Sequence, residues 1–255
     1  MNKKVIYTVL TDNYDDLRQP ENICSDCDYI CFSNDIPQKQ IGVWKIRHFD
    51  YHNDNKIRES RFPKLNPHLL LPEYTYSLYV DGKVVLRTPL NNRFSDLTNQ
   101  ETSLALIPHP VRNCVYQEAM ILTAWNIGEA KLVYLQTKEL LKKHFPQHWG
   151  LYDNAVIYRK HNLQTIINFS EAWWKLYSQN SSRDQMSGVY ALFQNSINPE
   201  ILFSSSFLNN NTIAHKKNRK TIKELSFKEN LLRYYAILRL KCLYWRYHIN
   251  LNSKI

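Results

Sequence analysis

The sequence predicts an α/β fold in which a mostly parallel sheet is covered by helices. Strand-like and helix-like segments alternate along residues 4–195. One short apolar strand, Tyr76-Ser77-Leu78-Tyr79-Val80, ends abruptly in Asp81-Gly82-Lys83. The chain has only 5 Gly and contains neither G-x-G-x-x-G nor a P-loop, which argues against dinucleotide oxidoreductases and P-loop ATPases.

Each element has a local reason. Val5-Ile6-Tyr7-Thr8-Val9-Leu10 is a continuous apolar run, and residues 4–10 are a strand bounded by turn chemistry at Asn13-Tyr14-Asp15-Asp16. Residues 28–33 are a second strand, and Val43-Trp44-Lys45-Ile46-Arg47 alternates like a third. Residues 55–66 suit a helix that stops near Pro67. The Asp81 strand follows, then a helix over 89–98 and a strand, Ser103-Leu104-Ala105-Leu106-Ile107, closed by Pro108-His109-Pro110. Helical patterns fill 114–124 and 128–144, Ala155-Val156-Ile157-Tyr158-Arg159 is a strand, and 163–179 and 183–195 are helices. Ser206 to Thr212 is polar and Asn-rich and suits a loop.

A chain of 255 residues, 44% hydrophobic and 22% charged, is long enough for one large domain or two small ones. No apolar stretch approaches the ~18 residues of a membrane span. Met1-Asn2-Lys3-Lys4 runs straight into the first strand with no small-residue cleavage site, so a cytoplasmic location is expected. The five cysteines are expected to be reduced there. Cys24, Cys27 and Cys31 are spaced C-x-x-C-x-x-x-C, a weak metal signal, because zinc usually takes four ligands and Cys31 falls in a strand.

Charge is segregated. Residues 1–213 carry 22 basic and 21 acidic side chains, whereas residues 214–255 carry 11 basic and 2 acidic, nearly all of the net +10. A near-neutral body (1–213) therefore carries a basic tail (214–255) suited to phosphates of lipids, nucleic acids or a nucleotide. Within the tail, Ser226-Phe227-Lys228-Glu229 is a capping box that opens a helix running to about His248. Leu231, Tyr234, Tyr235, Leu238, Cys242, Trp245 and Ile249 form one stripe on it, flanked by Arg239 and Arg246 on one side and Lys241 and His248 on the other. That pattern suits a helix lying on an anionic membrane surface. It also suits packing on the body, since Leu232, Ala236, Leu240 and Leu243 cover much of the remaining surface.

Four groups of residues carry candidate chemistry. Asp81 at a strand tip beside Gly82 is placed to hold a metal or phosphate ligand, because open α/β sheets bind ligands at the carboxyl ends of their strands. The alternative is an Asp-Gly hairpin with Val84-Val85-Leu86 as the return strand. Arg61 and Lys64 share a helical face and could meet a diphosphate, or be a solvated face. Asp184 falls in the first turn of a helix with Ser182 as its N-cap, where it could stabilise the helix, accept a hydrogen bond from a ligand hydroxyl, or act as a base. His215 could ligate a divalent cation, with Lys216 beside it holding phosphate.

In chain order the informative pieces are Tyr7-Thr8 with Tyr14-Asp15, Cys31-Phe32-Ser33-Asn34, Trp44, and Arg58, Arg61 and Lys64 with Pro67-His68. Next come the Asp81 strand, His109-Pro110 with Arg112 to Ala119, and Arg183-Asp184-Gln185-Met186-Ser187. Together they resemble the glycosyltransferase-like domain of plant mucilage and pollen-turgor proteins and their bacterial relatives in surface-polysaccharide loci. The resemblance covers roughly residues 4–195. It implies a GT-A-like, Rossmann-type mixed sheet flanked by helices, to which this chain adds a C-terminal basic helix. It also implies a nucleotide-sugar donor, UDP-sugar favoured, and a glycan or glycolipid acceptor such as lipopolysaccharide or capsule. Asp81 then replaces the D-x-D acid and shares the catalytic role with Asp184. Thr8, Tyr14, Arg61, Lys64, Lys83 and Lys216 face the donor, and Asp81 and His215 hold Mn²⁺ or Mg²⁺. One departure is that Lys83 stands where a D-x-D has its second carboxylate. The tail suggests a peripheral position on the inner face of the cytoplasmic membrane. The rivals are a nucleic-acid-binding protein using the tail, against which the body shows no nucleic-acid module, and an inactive, lectin-like relative.

Overall fold

The protein is described by a computed structural model over residues 3–12, 15–127, 129–181, 183–212 and 225–250. Its strands are β1 (Lys4–Val9), β2 (Cys27–Phe32), β3 (Gln40–Ile41), β4 (Trp44–Arg47), β5 (Tyr76–Val80), β6 (Leu104–Pro108), β7 (Tyr152–Arg159) and β8 (Glu200–Ile201). The helices are α1 (Lys56–Leu65), α2 (Pro67–Leu70), α3 (Thr88–Asn99), α4 (Val115–Ala124), α5 (Ala130–Lys142), α6 (Gln164–Gln179), α7 (Asp184–Gln194), α8 (Phe207–Asn211) and α9 (Phe227–Arg246).

One eight-stranded sheet has the order β3-β4-β2-β1-β5-β7-β6-β8. The chain lays β2 and β4 parallel on one side of β1, then returns to place β5 parallel on the other side. The strand order thus reverses between β1 and β5, and such a reversal opens a crevice at the carboxyl ends of the two strands. The sheet is mixed, because β7 runs antiparallel to both β5 and β6. That reversal brings the start of β7 to the tip of β5, where Asp81 N–H donates to the Ala155 carbonyl (2.8 Å).

The central strands are apolar throughout because both faces are covered. Val5, Tyr7 and Val9 point to the face packed by Phe169, Trp173 and Tyr177 of α6. Ile6, Leu78 and Val80 point to the other face, against Leu90, Phe94 and Leu97 of α3. This is the two-residue alternation of a strand.

Several local expectations change. Asp81-Gly82 makes no hairpin: Val84 N–H turns back to the Asp81 carbonyl (2.9 Å), and the strand's neighbours are β1 and β7. Val84 instead bridges Thr212, and Val85 N–H donates to Asn211 O (2.9 Å). The polar segment 206–212 contains a short helix, α8, rather than only loop. Asn55 caps α1, and Pro63 sits inside it. The N-cap position of α7 is Arg183 rather than Ser182, with no side-chain cap, and Ser182 lies outside the described residues.

The capping box of α9 is formed: Ser226 Oγ accepts from Glu229 N–H (3.2 Å), and Ser226 N–H donates to Glu229 Oε2 (2.7 Å). Leu240, Leu243 and Tyr244 on its inner face join a core with residues of α4, α5 and α7. Tyr244 also donates its hydroxyl to Tyr116 O (2.8 Å).

The contact of α6 with α7 depends on Gly188. A Cβ there would lie 2.8 Å from ring atoms of Trp173. That ring is fully buried, and its Nε1–H is fixed to the Asp184 carbonyl (2.9 Å). Gly188→Ala should therefore destabilise the protein by about 1–3 kcal/mol through overpacking. The expected observation is a lower urea midpoint with an unchanged slope; an unchanged midpoint would mean that α7 can move away at no cost.

Candidate functional site

The crevice predicted by the strand reversal is present as an open cleft of about 960 Å³. Its walls are the end of β1 (Val9, Leu10, Thr11), the tip of β5 (Tyr79, Asp81, Gly82, Lys83) and the start of β7 (Asp153, Asn154, Ala155). One face of α1 (Lys56, Ile57, Ser60, Arg61, Lys64) and the start of α7 (Arg183, Asp184, Gln185) complete it. Five acidic and five basic side chains line it, so the cleft is densely charged yet balanced.

At its floor a single ammonium joins two carboxylates. Lys64 Nζ lies 2.7 Å from Asp184 Oδ2 and 3.4 Å from Asp81 Oδ1, with only 1% of the residue exposed. It also lies 4.9 Å from the centre of the Tyr79 ring, within cation–π range. Arg61 Nε is 3.3 Å from the same Asp184 oxygen. Tyr79 donates its hydroxyl to Asp81 Oδ1 (2.6 Å). Arg61 Nε and Asp184 Oδ2 are both enclosed and held by ion pairs, Oδ2 with Lys64 as well as with Arg61. Burial alone would raise the pKa of each carboxyl. The cations overcome it: Lys64, Arg61 and Lys83 hold Asp81 below the usual carboxylate range, and Lys64, Arg61 and Arg183 hold Asp184 well below it.

The surroundings fix these groups. The Lys64 carbonyl, in the last turn of α1, accepts from Arg159 Nη1 (2.8 Å) and from the Tyr7 hydroxyl (3.2 Å). Arg159 is fully buried, and a cation at a helix C-terminus is favourably placed. Gly82 leaves room for the end of β1: a Cβ there would lie 2.8 Å from Leu10 Cδ2 and 3.1 Å from Asp15 Cβ. Its φ is ordinary, so glycine serves close approach here rather than an unusual backbone. Arg183 is tied into a side wall by Glu118 (3.9 Å), which Arg112 holds at 2.7 Å.

Asp81, Asp184, Arg61, Lys64 and Lys83 therefore meet in one cleft although 123 positions separate the first and last of them in the chain. The solvated-face reading of Arg61 and Lys64 is overturned, because both turn inward. Thr8 does not reach the cleft; it is buried behind it, its hydroxyl without a partner, while Thr11 lines the wall. Tyr14, His215 and Lys216 lie outside the described residues. Lys56, Ser60, Asp153, Asn154 and Arg183 line the cleft without having been singled out. Arg183 was visible within the Arg-Asp-Gln motif, but Asp153 and Asn154 carry no local signal.

Cys31 is a core residue, as its strand position suggests. Cys24, Asp26 and Cys27 do cluster, at the start of β2 and so at the opposite end of the sheet from the cleft. The two sulfurs are 2.7 Å apart, closer than the roughly 3.7 Å between two thiolates each 2.3 Å from a tetrahedral zinc.

The ion pairs set a pH dependence. A carboxyl whose folded pKa is depressed contributes stability above its unfolded value, near pH 4, and loses it as pH falls through the folded value. Asp81 and Asp184 both follow this sign. Wild-type protein should thus lose urea resistance between pH 5 and pH 2, and Asp184→Asn should lose less over the same range. Parallel curves would show that the Asp184 pair contributes nothing.

A family model described as TOD1/MUCI70, glycosyltransferase-like domain, matches residues 1–219. Alkaline ceramidase TOD1 of Arabidopsis thaliana is 22% identical over 262 residues, covering 88% of this chain and 56% of that protein. The chain thus spans about half the length of that curated relative. The crystal structure of mouse xyloside xylosyltransferase 1, apo form, superposes with a TM-score of 0.44 at 11% identity, covering 77% of this chain and 83% of that one. With its matched residues taking in the whole sheet and every wall of the cleft, the chain belongs to the TOD1/MUCI70 glycosyltransferase-like domain family.

Proposed function

We propose that the protein transfers a sugar from a nucleoside-diphosphate donor, UDP-sugar favoured, to a bacterial surface glycan such as lipopolysaccharide or capsule on a lipid carrier. The observation that carries this reading is the convergence of Lys64, Arg61, Lys83 and Arg183 on Asp81 and Asp184 at the β1–β5 reversal. Glycosyl transfer breaks the bond from the anomeric carbon to the diphosphate, and negative charge grows on the departing oxygen. Fixed cations at that place stabilise the transition state more than the ground state. Lys83, at the strand tip, and Arg183, on the side wall, are placed to follow that charge.

Asp184 is proposed to hold a sugar hydroxyl. A carboxylate whose pKa is driven far down is a poor proton acceptor, so positioning suits it better than general-base catalysis. Asp81 is ionised, and its contacts with Tyr79 and Lys64 fall on one oxygen, Oδ1. That fits a divalent cation arriving with the donor, held by Asp81 and His215. Among the described residues Asp81 belongs to no cluster of three or more ligating groups. Charge supports the same reading, since the lining is balanced and a diphosphate adds negative charge. Mn²⁺ or Mg²⁺ would supply further neutralisation of the leaving group. Lys216 is proposed to reach the same phosphates, and Tyr14 the donor.

The name of the plant relative suggests amide hydrolysis as a second reading. Against it, charges crowd the space an acyl chain would need.

Three measurements test the proposal. Nucleotide-sugars that bind should raise the melting temperature by mass action, and Mn²⁺ should increase the rise. Asp81→Asn should lower transfer about 100-fold or more, well beyond the modest loss of stability expected from breaking its pair with Lys64. Near-normal turnover of that variant would refute the role of Asp81. Lys83→Ala should weaken both nucleotide-sugar and nucleoside diphosphate about tenfold, leaving free nucleoside unaffected. A variant that binds nucleotide-sugar and nucleoside diphosphate as tightly as wild type would remove Lys83 from the phosphate site.

A further inference from the structure

Helix α9 has two apolar faces, and the protein uses only one. At about 100° per residue, Leu231 and Leu240 point in opposite directions. Leu240, Leu243 and Tyr244 are buried against α4, α5 and α7. The opposite side carries Phe227, Leu231, Tyr234, Leu238 and Trp245, all exposed, with Trp245 84% and Phe227 85% accessible. None of them joins a core of the described residues, although the Arg233 guanidinium lies over the Tyr234 ring (4.5 Å). Five large side chains in one exposed row, six with Tyr235 at its edge, are unusual and mark an interaction surface.

Basic side chains border that row. Lys241 lies on one edge, and Lys228, Arg239 and Arg246 lie on the other. Only Glu229 in the helix is acidic. We infer that this outer face of α9 docks the protein on an anionic lipid bilayer, with the helix parallel to the surface. The apolar row would enter the headgroup–acyl boundary, the tyrosines and Trp245 would sit at the interface, and the flanking cations would meet lipid phosphates. A second copy of the chain is a poorer occupant, since apposing two such faces brings like charges together. Nucleic acid is poorer too: Leu231 and Leu238 cannot stack on bases as aromatic rings do.

The helix lies beyond residues 1–219, which the family model matches. It stands independently of the transfer reaction. Its inner face shares a core with Met186 and Val189 of α7, the helix that begins with Asp184. The lipid-facing helix and one wall of the cleft are therefore parts of one packed unit.

Sedimentation of the full chain with vesicles tests the inference. Binding is expected to phosphatidylglycerol-containing vesicles at low salt, to weaken as salt is raised, and to be negligible with phosphatidylcholine alone. Leu238→Glu should abolish binding. Lys241→Ser with Arg246→Ser should reduce it roughly 25-fold, about fivefold for each charge. These side chains are exposed, so circular dichroism and melting temperature should not change. Failure of the wild-type chain to bind anionic vesicles at low salt overturns the inference. So does a dimer, detected by light scattering, that Leu238→Glu converts to monomer while vesicle binding is absent. Binding to an oligonucleotide but not to vesicles also overturns it, in favour of a nucleic-acid surface.

Discussion

The site depends on the position of one ammonium group. Lys64 Nζ is almost fully enclosed, 2.7 Å from Asp184 and 3.4 Å from Asp81. Enclosing any one of these charges alone costs several kcal/mol, so the three are tolerable only together. The arrangement also ties three distant parts of the chain to one point: the last turn of α1, the tip of β5 and the first turn of α7. Tyr7 and Arg159 hold the Lys64 backbone from below, which links the point to β1 and β7 as well. A ligand phosphate that draws on Lys64 must loosen its grip on a carboxylate. Binding at this floor is therefore an exchange of partners, in which Arg61 and Lys83 stand ready to compensate.

The sheet explains why this point is a cleft. β1 leads on to β2 on one side, whereas its other neighbour β5 leads on to β6 on the far side, so the connections from these adjacent carboxyl ends diverge and open a gap. Gly82 admits the β1 end close to the β5 tip, and Gly188 admits α7 close to α6. Each of these approaches places a charged residue, Asp81 in the first case and Asp184 in the second. Packing at the two glycines and electrostatics at Lys64 are thus two aspects of one construction.

Much of this was legible before any coordinates. Strands buried on both faces show as apolar runs, so β1, β2, β5, β6 and β7 are found within a few residues. Asp81 stood out because an apolar run stops at a carboxylate. Capping chemistry located the start of α9 at Ser226. What local pattern does not encode is direction and facing. β7 runs against its neighbours, which is a tertiary fact, and it is why Asp153 and Asn154 arrive at the cleft unannounced. Arg61 and Lys64 had the spacing of a solvated face; only the buried carboxylates opposite them turn that face inward. The same limit applied to α9, whose two apolar rows are similar in sequence and opposite in fate.

The central claim is that the Lys64–Asp81–Asp184 floor is where a donor diphosphate is received. A crystal structure of the protein with UDP and Mn²⁺ tests it most directly. The account predicts the diphosphate at the β1–β5 tips, in ion-pair contact with Lys83 and with Lys64 or Arg61, and Asp81 turned toward the cation. Nucleotide bound elsewhere on the molecule, with the Lys64 pairs undisturbed, would contradict it.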